Sequence, residues 1–347
     1  MARFLLRRML HSIWVIVGVV LVIFLLFFIL PVDPSRTTLG QRSDVQTREA
    51  VARKYGLDKP WHIRFGIYLG NLSPVWVHQV ADRHELRYLT LLRLGDGRAL
   101  GLKWPYLGRS FQTDGRVGEI LLSGLWSTVI LSFSAILLGL IIGISSGVLA
   151  AANQGNWIDR IAVLLASVGV SIPSYLAGIL LSYFLGYVLK EYTGLNMIGS
   201  LFDHRGHLEL KNLILPTLAL GVRPVAIVTQ LTRTSMLEVL HQDFVRTATA
   251  KGLSRTGVLI RHALRNALNP VLTSVTGWFA SLLAGAYFVE IIFDFKGLGY
   301  LTVRAIGQFD FPLIMGAVLL GALFFTGINI FADIMYAALD PRVKSTR

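Results

Sequence analysis

The chain has no cysteine, so disulfide bonds, thiolate nucleophiles and cysteine-based metal knuckles are excluded. Charge is scarce too: Asp, Glu, Lys and Arg make up 15% of the 347 residues, while 54% are hydrophobic. Soluble domains carry about 25% charged residues, so this composition falls outside that class. A mean hydropathy of +0.60 points to a polytopic membrane protein. Acid is the rarer sign, with 20 Asp and Glu against 33 Lys and Arg, for a net charge of +13. A basic surplus suits either nucleic acid or a membrane. Here the cations flank apolar runs, which favours the membrane and leaves no reason to expect nucleic acid. The sequence also has no G-x-x-x-x-G-K-[ST] phosphate loop and no HExxH. The chain therefore cannot cradle ATP in that way by itself.

What is present is a set of long apolar runs at about 9–30, 125–151, 158–188, 212–235, 268–292 and 312–337. Crossing a bilayer takes about 20 apolar residues. Arg3, Arg7 and Arg8 precede the first run and Pro31-Val32-Asp33-Pro34 follows it. A signal peptide has a shorter apolar core and a small-residue cleavage site, so this reads as a retained helix with a cytoplasmic N-terminus. Residues 35–120 are polar and rich in arginine, and long translocated segments largely escape the positive-inside rule. Later connections alternate: Asn153–Trp157 inside, Lys190–Lys211 outside, Arg233–Arg265 inside and Asp294–Phe311 outside. The basic tail with Arg342, Lys344 and Arg347 ends inside. The expectation is an all-α polytopic membrane protein with six transmembrane helices and both ends cytoplasmic. Its parts are a helix at 1–30, a large extracytoplasmic segment at 31–120, and a five-helix core at 121–347.

Small residues mark the spans. Gly139, Gly143 and Gly147 stand at i,i+4 spacing and read as a close-packing face. Gly169, Pro173 and Gly178, then Pro216, Gly221 and Pro224, predict kinks, which suit an opening pathway but occur in static bundles as well. Arg223 lies within a span, where a cation is costly, so it should face protein or water. Two roles are open: lining a pathway, or pairing within the bundle with Glu290 or Asp333. Asp203, His204 and His207 cluster in an outer loop, which reads as solvated rather than metal-binding.

Residues 241–268 form a polar, basic island between apolar runs. Asp243 is the expected N-cap of a short helix, and Gly252 sits where a left-handed C′ residue would close it. Ser254 then caps a second helix, expected to end or bend before Pro270. Ala248, Ala250 and Gly252 are small enough to admit another backbone. Arg246 and Lys251 flank them, and Arg261 and Arg265 share a face at i,i+4. Such a helix suits a partner's groove, and an ordinary charged loop obeying the positive-inside rule has the same composition. His262 reads as a packing or hydrogen-bonding residue, not an acid–base catalyst.

Phe244-Val245-Arg246-Thr247-Ala248, Ala250-Lys251-Gly252-Leu253-Ser254 and Arg261-His262-Ala263-Leu264-Arg265-Asn266-Ala267-Leu268 resemble the cytoplasmic EAA loop of ABC-importer permeases, in the variant of the dipeptide/oligopeptide-type family. Several further stretches resemble the same family: Pro31-Val32-Asp33-Pro34, Lys54-Tyr55-Gly56-Leu57-Asp58-Lys59-Pro60, Leu107-Gly108-Arg109-Ser110 and Ser171-Ile172-Pro173-Ser174. Glu290, Phe293, Gly297, Leu298 and Gly299 do too, with Lys296 departing where the family has proline, and Asp333, Tyr336 and Asp340-Pro341-Arg342 close the pattern. Around 73–105 the chain is longer than the family pattern, which suggests a small extracytoplasmic subdomain facing a binding protein.

The resemblance implies a type I importer permease that works by alternating access. Its partners would be a homologous second permease, two cytoplasmic ATPase subunits and an extracytoplasmic binding protein, in an inner membrane. ATP would be bound by the partners, leaving this chain without a cofactor. Phe244, Arg246, Thr247, Ala248, Lys251, Gly252, Leu253, Arg261 and His262 would meet the ATPases. Arg223, Pro173, Glu290, Gly297 and Gly299 would belong to the pathway or gate, unless the 294–311 segment is an ordinary outer loop. Peptides are the expected cargo. The rivals are an ion-coupled secondary transporter, which should show an inverted repeat with paired broken helices, and an intramembrane enzyme, for which Asp333 alone is too little.

Overall fold

The computed structural model describes residues 2–29, 59–79, 89–95, 98–202 and 207–339. The Pro31–Pro34 pair, residues 54–58, Asp203, His204 and the closing 340–347 segment lie outside the described residues, as do the side chains of Asp333 and Tyr336. The chain divides into two compact units, one of residues 1–12, 124–300 and 321–347, the other of 13–123 and 301–320.

In chain order the elements are α1 (Ala2–Ile29), α2 (Trp61–Leu72), β1 (Val75–Gln79), β2 (Leu89–Gly95), β3 (Arg98–Leu102), α3 (Val117–Ala152), α4 (Trp157–Ser171) and α5 (Ser174–Leu181). They continue with α6 (Lys211–Leu240), α7 (Asp243–Ala250), α8 (Arg265–Gly285), α9 (Tyr287–Ile292), α10 (Leu298–Gly307) and α11 (Phe311–Leu339). Widened π turns extend α5 through Ser182–Val188 and lead into α8 through Val258–Leu264. Among the described residues α3, α6 and α11 are each long and apolar enough to cross a membrane. The helices over Trp157–Ser171 and Ser174–Val188 are together as long and apolar, bent by 105° where they meet, and count as a fourth such span if the pair is one crossing. Pro173 sits at that break, since its ring cannot donate to the preceding turn. The kink expected at Pro173 is therefore a full break.

In the first unit α6 is the packing axis. The glycine face of α3 lies flat on it. A Cβ on Gly139 would come 2.7 Å from the Pro224 Cβ, on Gly143 2.7 Å from Val228, and on Gly147 2.5 Å from Thr232. Four-residue steps on both helices keep the two ridges in register. On another side, Gly169 packs against Ala226 and Gly178 against Ala219. Pro216 and Pro224 both stand inside α6, which continues as one helix through them. Opposite Pro224, Gly139 leaves the space that the ring takes. Gly143-Ile144-Ser145-Ser146-Gly147 spells G-x-S-x-G, the nucleophile-elbow pattern. It lies in mid-helix, with the Ser145 hydroxyl donating to the Ile141 carbonyl at 2.7 Å, so it is no strand-to-helix elbow.

In the second unit, Phe24 of α1 rests on Phe65 of α2, with ring centroids 4.3 Å apart. Within 73–105 the described residues form an antiparallel sheet ordered β1-β3-β2. Gly95 pairs with Arg98, and the two residues between them are Asp96-Gly97, a hairpin dipeptide. That dipeptide is the sequence signal for a sheet here.

Candidate functional site

The helix of segment 241–268 is capped one residue earlier than expected, because Gln242 is the N-cap and Asp243 is the first helical residue. Asp243 still helps, as an acid in the first turn faces the positive end of the helix. α7 ends in a Schellman closure: Gly252 N–H donates to the Thr249 carbonyl at 3.0 Å and Leu253 N–H to the Ala248 carbonyl at 3.4 Å. Gly252 has φ +80°, as its position required, and open space where a side chain would go. Ser254 caps the next turn, its Oγ accepting from Gly257 N–H at 3.2 Å. The helix does not end before Pro270, which falls inside α8, and the stretch ahead of α8 is widened into the Val258–Leu264 π turn.

The two faces of α7 differ sharply. Val245 and Ala248 are buried against Ala151, Met236, Val239, Val258, Ala263 and Ala267. Phe244, Arg246, Thr247, Lys251, Gly252, Leu253 and Arg261 are exposed and His262 is half-buried. Ala248 therefore belongs to the weld that holds α7 to the bundle, not to the outward rim that its small size suggests. Replacing Gly252 with alanine, which must hold the same left-handed backbone, should cost about 1 kcal/mol, whereas asparagine should cost less. Thermal melting of the purified chain reads the difference.

The second constellation surrounds Glu290, which is fully buried. Its carboxylate accepts from the Thr128 hydroxyl at 2.6 Å and from Tyr300 N–H at 2.9 Å, and Thr128 Oγ1 accepts from Leu298 N–H at 2.7 Å. Leu298 and Tyr300 lie in the first turn of α10, whose N–H groups have no partner within the helix. Glu290 and Thr128 thus cap α10 from outside, with carboxyl and hydroxyl oxygens at its positive end. A Cβ on Gly297 would collide with the Glu290 carboxylate, and one on Gly299 would come 2.6 Å from Tyr287 Cα. These contacts explain the glycine pair physically. Lys296, at the family's proline position, is exposed.

Arg223 is exposed at mid-height on α6. Val222 and Ala226 flank Gly169 of α4, and Ala219 lies beside Gly178 of α5, so Arg223 sits on the stretch of α6 against which both halves of the broken helix pack. The structure therefore gathers Glu290, Gly297 and Gly299 into one corner, and places Arg223 on the part of α6 that meets both sides of the Pro173 break.

Two further buried acids, Asp310 and Asp159, lie outside the expected site residues. Asp310 caps α11, accepting from Leu313 N–H at 3.4 Å, while Phe111 N–H at 3.1 Å and the Ser110 hydroxyl donate to the same carboxylate. This joins Leu107–Ser110 to Asp310–Pro312, two stretches far apart in the sequence. Asp159 is 4% exposed and takes a two-pronged contact from Arg233. An acid just inside an apolar run is the signal that could have found it. Among the described residues no group of three His, Asp or Glu is placed to hold a metal ion.

Residues 135–345 match the family model described as binding-protein-dependent transport system inner membrane component, and residues 1–132 match the model of its N-terminal part. The chain is 32% identical to the dipeptide transport system permease protein DppB of Alkalihalophilus pseudofirmus, over 99% of this chain and 100% of that one. It is 33% identical to the glutathione transport system permease protein GsiC of Salmonella paratyphi A, over 99% of each. Among solved structures, the inward-facing MetNI methionine ABC transporter matches with a TM-score of 0.52 at 19% identity, covering 64% of this chain and 97% of that one. That likeness gives the fold, that of a type I ABC importer permease.

Proposed function

Because the chain belongs to the binding-protein-dependent transport system inner membrane component family, and is thereby a permease subunit of an ABC importer, we propose that it carries peptides across the inner membrane. The names of its dipeptide- and glutathione-transporting relatives support that cargo class. In this reading six helices cross the bilayer with both ends cytoplasmic, and the pathway forms against a homologous second permease. Two cytoplasmic ATPases bind the nucleotide, so this chain needs no cofactor and has no ATPase chemistry of its own.

One observation carries the mechanism: α7 is apolar inward and basic outward, closed by a left-handed glycine. A helix welded to the bundle on one side and free on the other passes on a push instead of absorbing it. Closure of the ATPases would press on Phe244, Arg246, Thr247, Lys251, Gly252, Leu253 and Arg261, and the bundle would answer by exchanging inward and outward openings. Arg223 and the Pro173 break would lie on the pathway, and the Glu290 corner would hold the outer gate. The β1-β3-β2 sheet would face the binding protein, and a chain lacking 76–103 should lose docking of it.

Gly252→Trp tests the assignment in the complete transporter. The bulky ring fills open space on the rim and should lower cargo moved per ATP by about fivefold or more, with the bundle still folded. Full coupling would remove α7 as the contact. Uptake that survives ATP depletion with the ion gradient held would favour the ion-coupled reading instead.

A further inference from the structure

α7 follows α6 after two residues, His241 and Gln242, so any push on α7 reaches α6 directly. Two further ties leave the same region. Arg255, just past the Schellman turn, donates through Nη2 to the carbonyl of Ala152, the last residue of α3. Arg233, near the α7 end of α6, donates through Nε to Asp159 Oδ1 at 2.5 Å and through Nη2 to Oδ2 at 2.9 Å. Asp159 lies in the first turn of α4, and its Oδ2 also accepts from Gly155 N–H at 3.0 Å. Gly155 has φ +81°, so the connection from α3 to α4 is shaped to bring that N–H onto the carboxylate.

We propose that Asp159 and Arg233 are positioning residues of the transport cycle, which make the broken helix α4–α5 follow α6 when the coupling segment is pressed. The inference rests on the coupling role of α7. α4 leads straight to the 105° break at Pro173, so motion of its first turn is delivered to the break. A planar guanidinium held by both carboxylate oxygens fixes direction as well as distance. Exchanging a buried ion pair for well-packed apolar residues is often neutral or stabilising, so stability alone gives weak reason for one here. Fixing the register between two helices that must move together gives a stronger one.

The chain contains no cysteine, so Asp159→Cys with Arg233→Cys introduces the only two thiols in it. In the complete transporter, a short bifunctional thiosulfonate joins them, and reductant removes it from the same folded molecules. With the bridge in place, cargo moved per ATP should stay near that of the unaltered transporter. After reduction it should fall by about fivefold or more while ATP hydrolysis continues. An equal ratio in both states would overturn the proposal, as would loss of transport on bridging. Asp159→Glu should keep most coupling and Asp159→Asn should lose it, and equal coupling in those two variants also overturns it. Gly252→Trp, measured alongside, separates the outcomes. If Gly252→Trp uncouples and the bridge makes no difference, α7 docks but this pair does not transmit. If Gly252→Trp is silent, the docking assignment itself fails.

Discussion

A leucine at Gly143 is expected to leave almost no chain that extracts as a stable, monodisperse species. A single Cβ there would already sit 2.7 Å from both Cβ and Cγ1 of Val228 and 2.9 Å from the Val225 carbonyl oxygen. Real side chains do not approach backbone oxygen so closely, and the neighbouring contacts at Gly139 and Gly147 stop α3 from sliding aside. Overpacking of a core typically costs about 1–3 kcal/mol, and a rigid helix backbone as the obstacle puts this case at or above the upper end. Gly327, where an added Cβ would meet nothing within 4 Å, is the control position. Gly327→Leu should melt close to the unaltered chain, whereas Gly143→Leu should melt far below it or not be recovered. Equal melting of the two would mean that α3 and α6 do not pack as described.

Glu290→Ala is the second large effect. It strands Tyr300 N–H in a buried corner, leaves the Thr128 hydroxyl only its long contact to the Gly124 carbonyl at 3.4 Å, and opens a cavity where the carboxylate was. Each buried orphan costs about 1–3 kcal/mol, so the loss should reach several kcal/mol. Glutamine keeps one acceptor oxygen and the shape, and should retain a substantial part of the stability. Its amide nitrogen cannot accept, so the rescue should be incomplete. Thermal melting of the purified chain should therefore rank wild type above Glu290→Gln and Glu290→Ala last. An alanine variant as stable as the glutamine one would show that the carboxylate does not cap α10.

Local chemistry makes the coupling segment readable. Gly252 and Ser254 are a left-handed terminator and an N-cap whatever surrounds them, and both stand where the sequence puts them. Gly139, Gly143 and Gly147 announce a packing face, although nothing in their spacing names Pro224, Val228 and Thr232 as the ridge opposite. Pro270 misleads as a terminator because a membrane-spanning helix can carry a proline where neighbouring groups re-satisfy the freed carbonyl, and α8 continues through it. Ala248 misleads because its small size fits a partner's backbone and the chain's own core equally well. Asp159 with Arg233, and Asp310 with Ser110, join residues 74 and 200 positions apart, and no local pattern carries such a pairing. The sheet at 75–102 is hidden for a different reason: its strands are short and polar residues interrupt them, so only Asp96-Gly97 marks it.

The most direct measurement of the central claim uses the lack of cysteine again. Single cysteines at Arg246, Thr247, Lys251 and, for contrast, Ala248 would each carry a short thiol-directed photocrosslinker in the complete transporter. Arg246, Thr247 and Lys251 should give adducts with the ATPase subunits, and Ala248, which is 6% exposed, should give far less. Adducts from Lys251 to the binding protein, or none from any exposed position, would contradict the account.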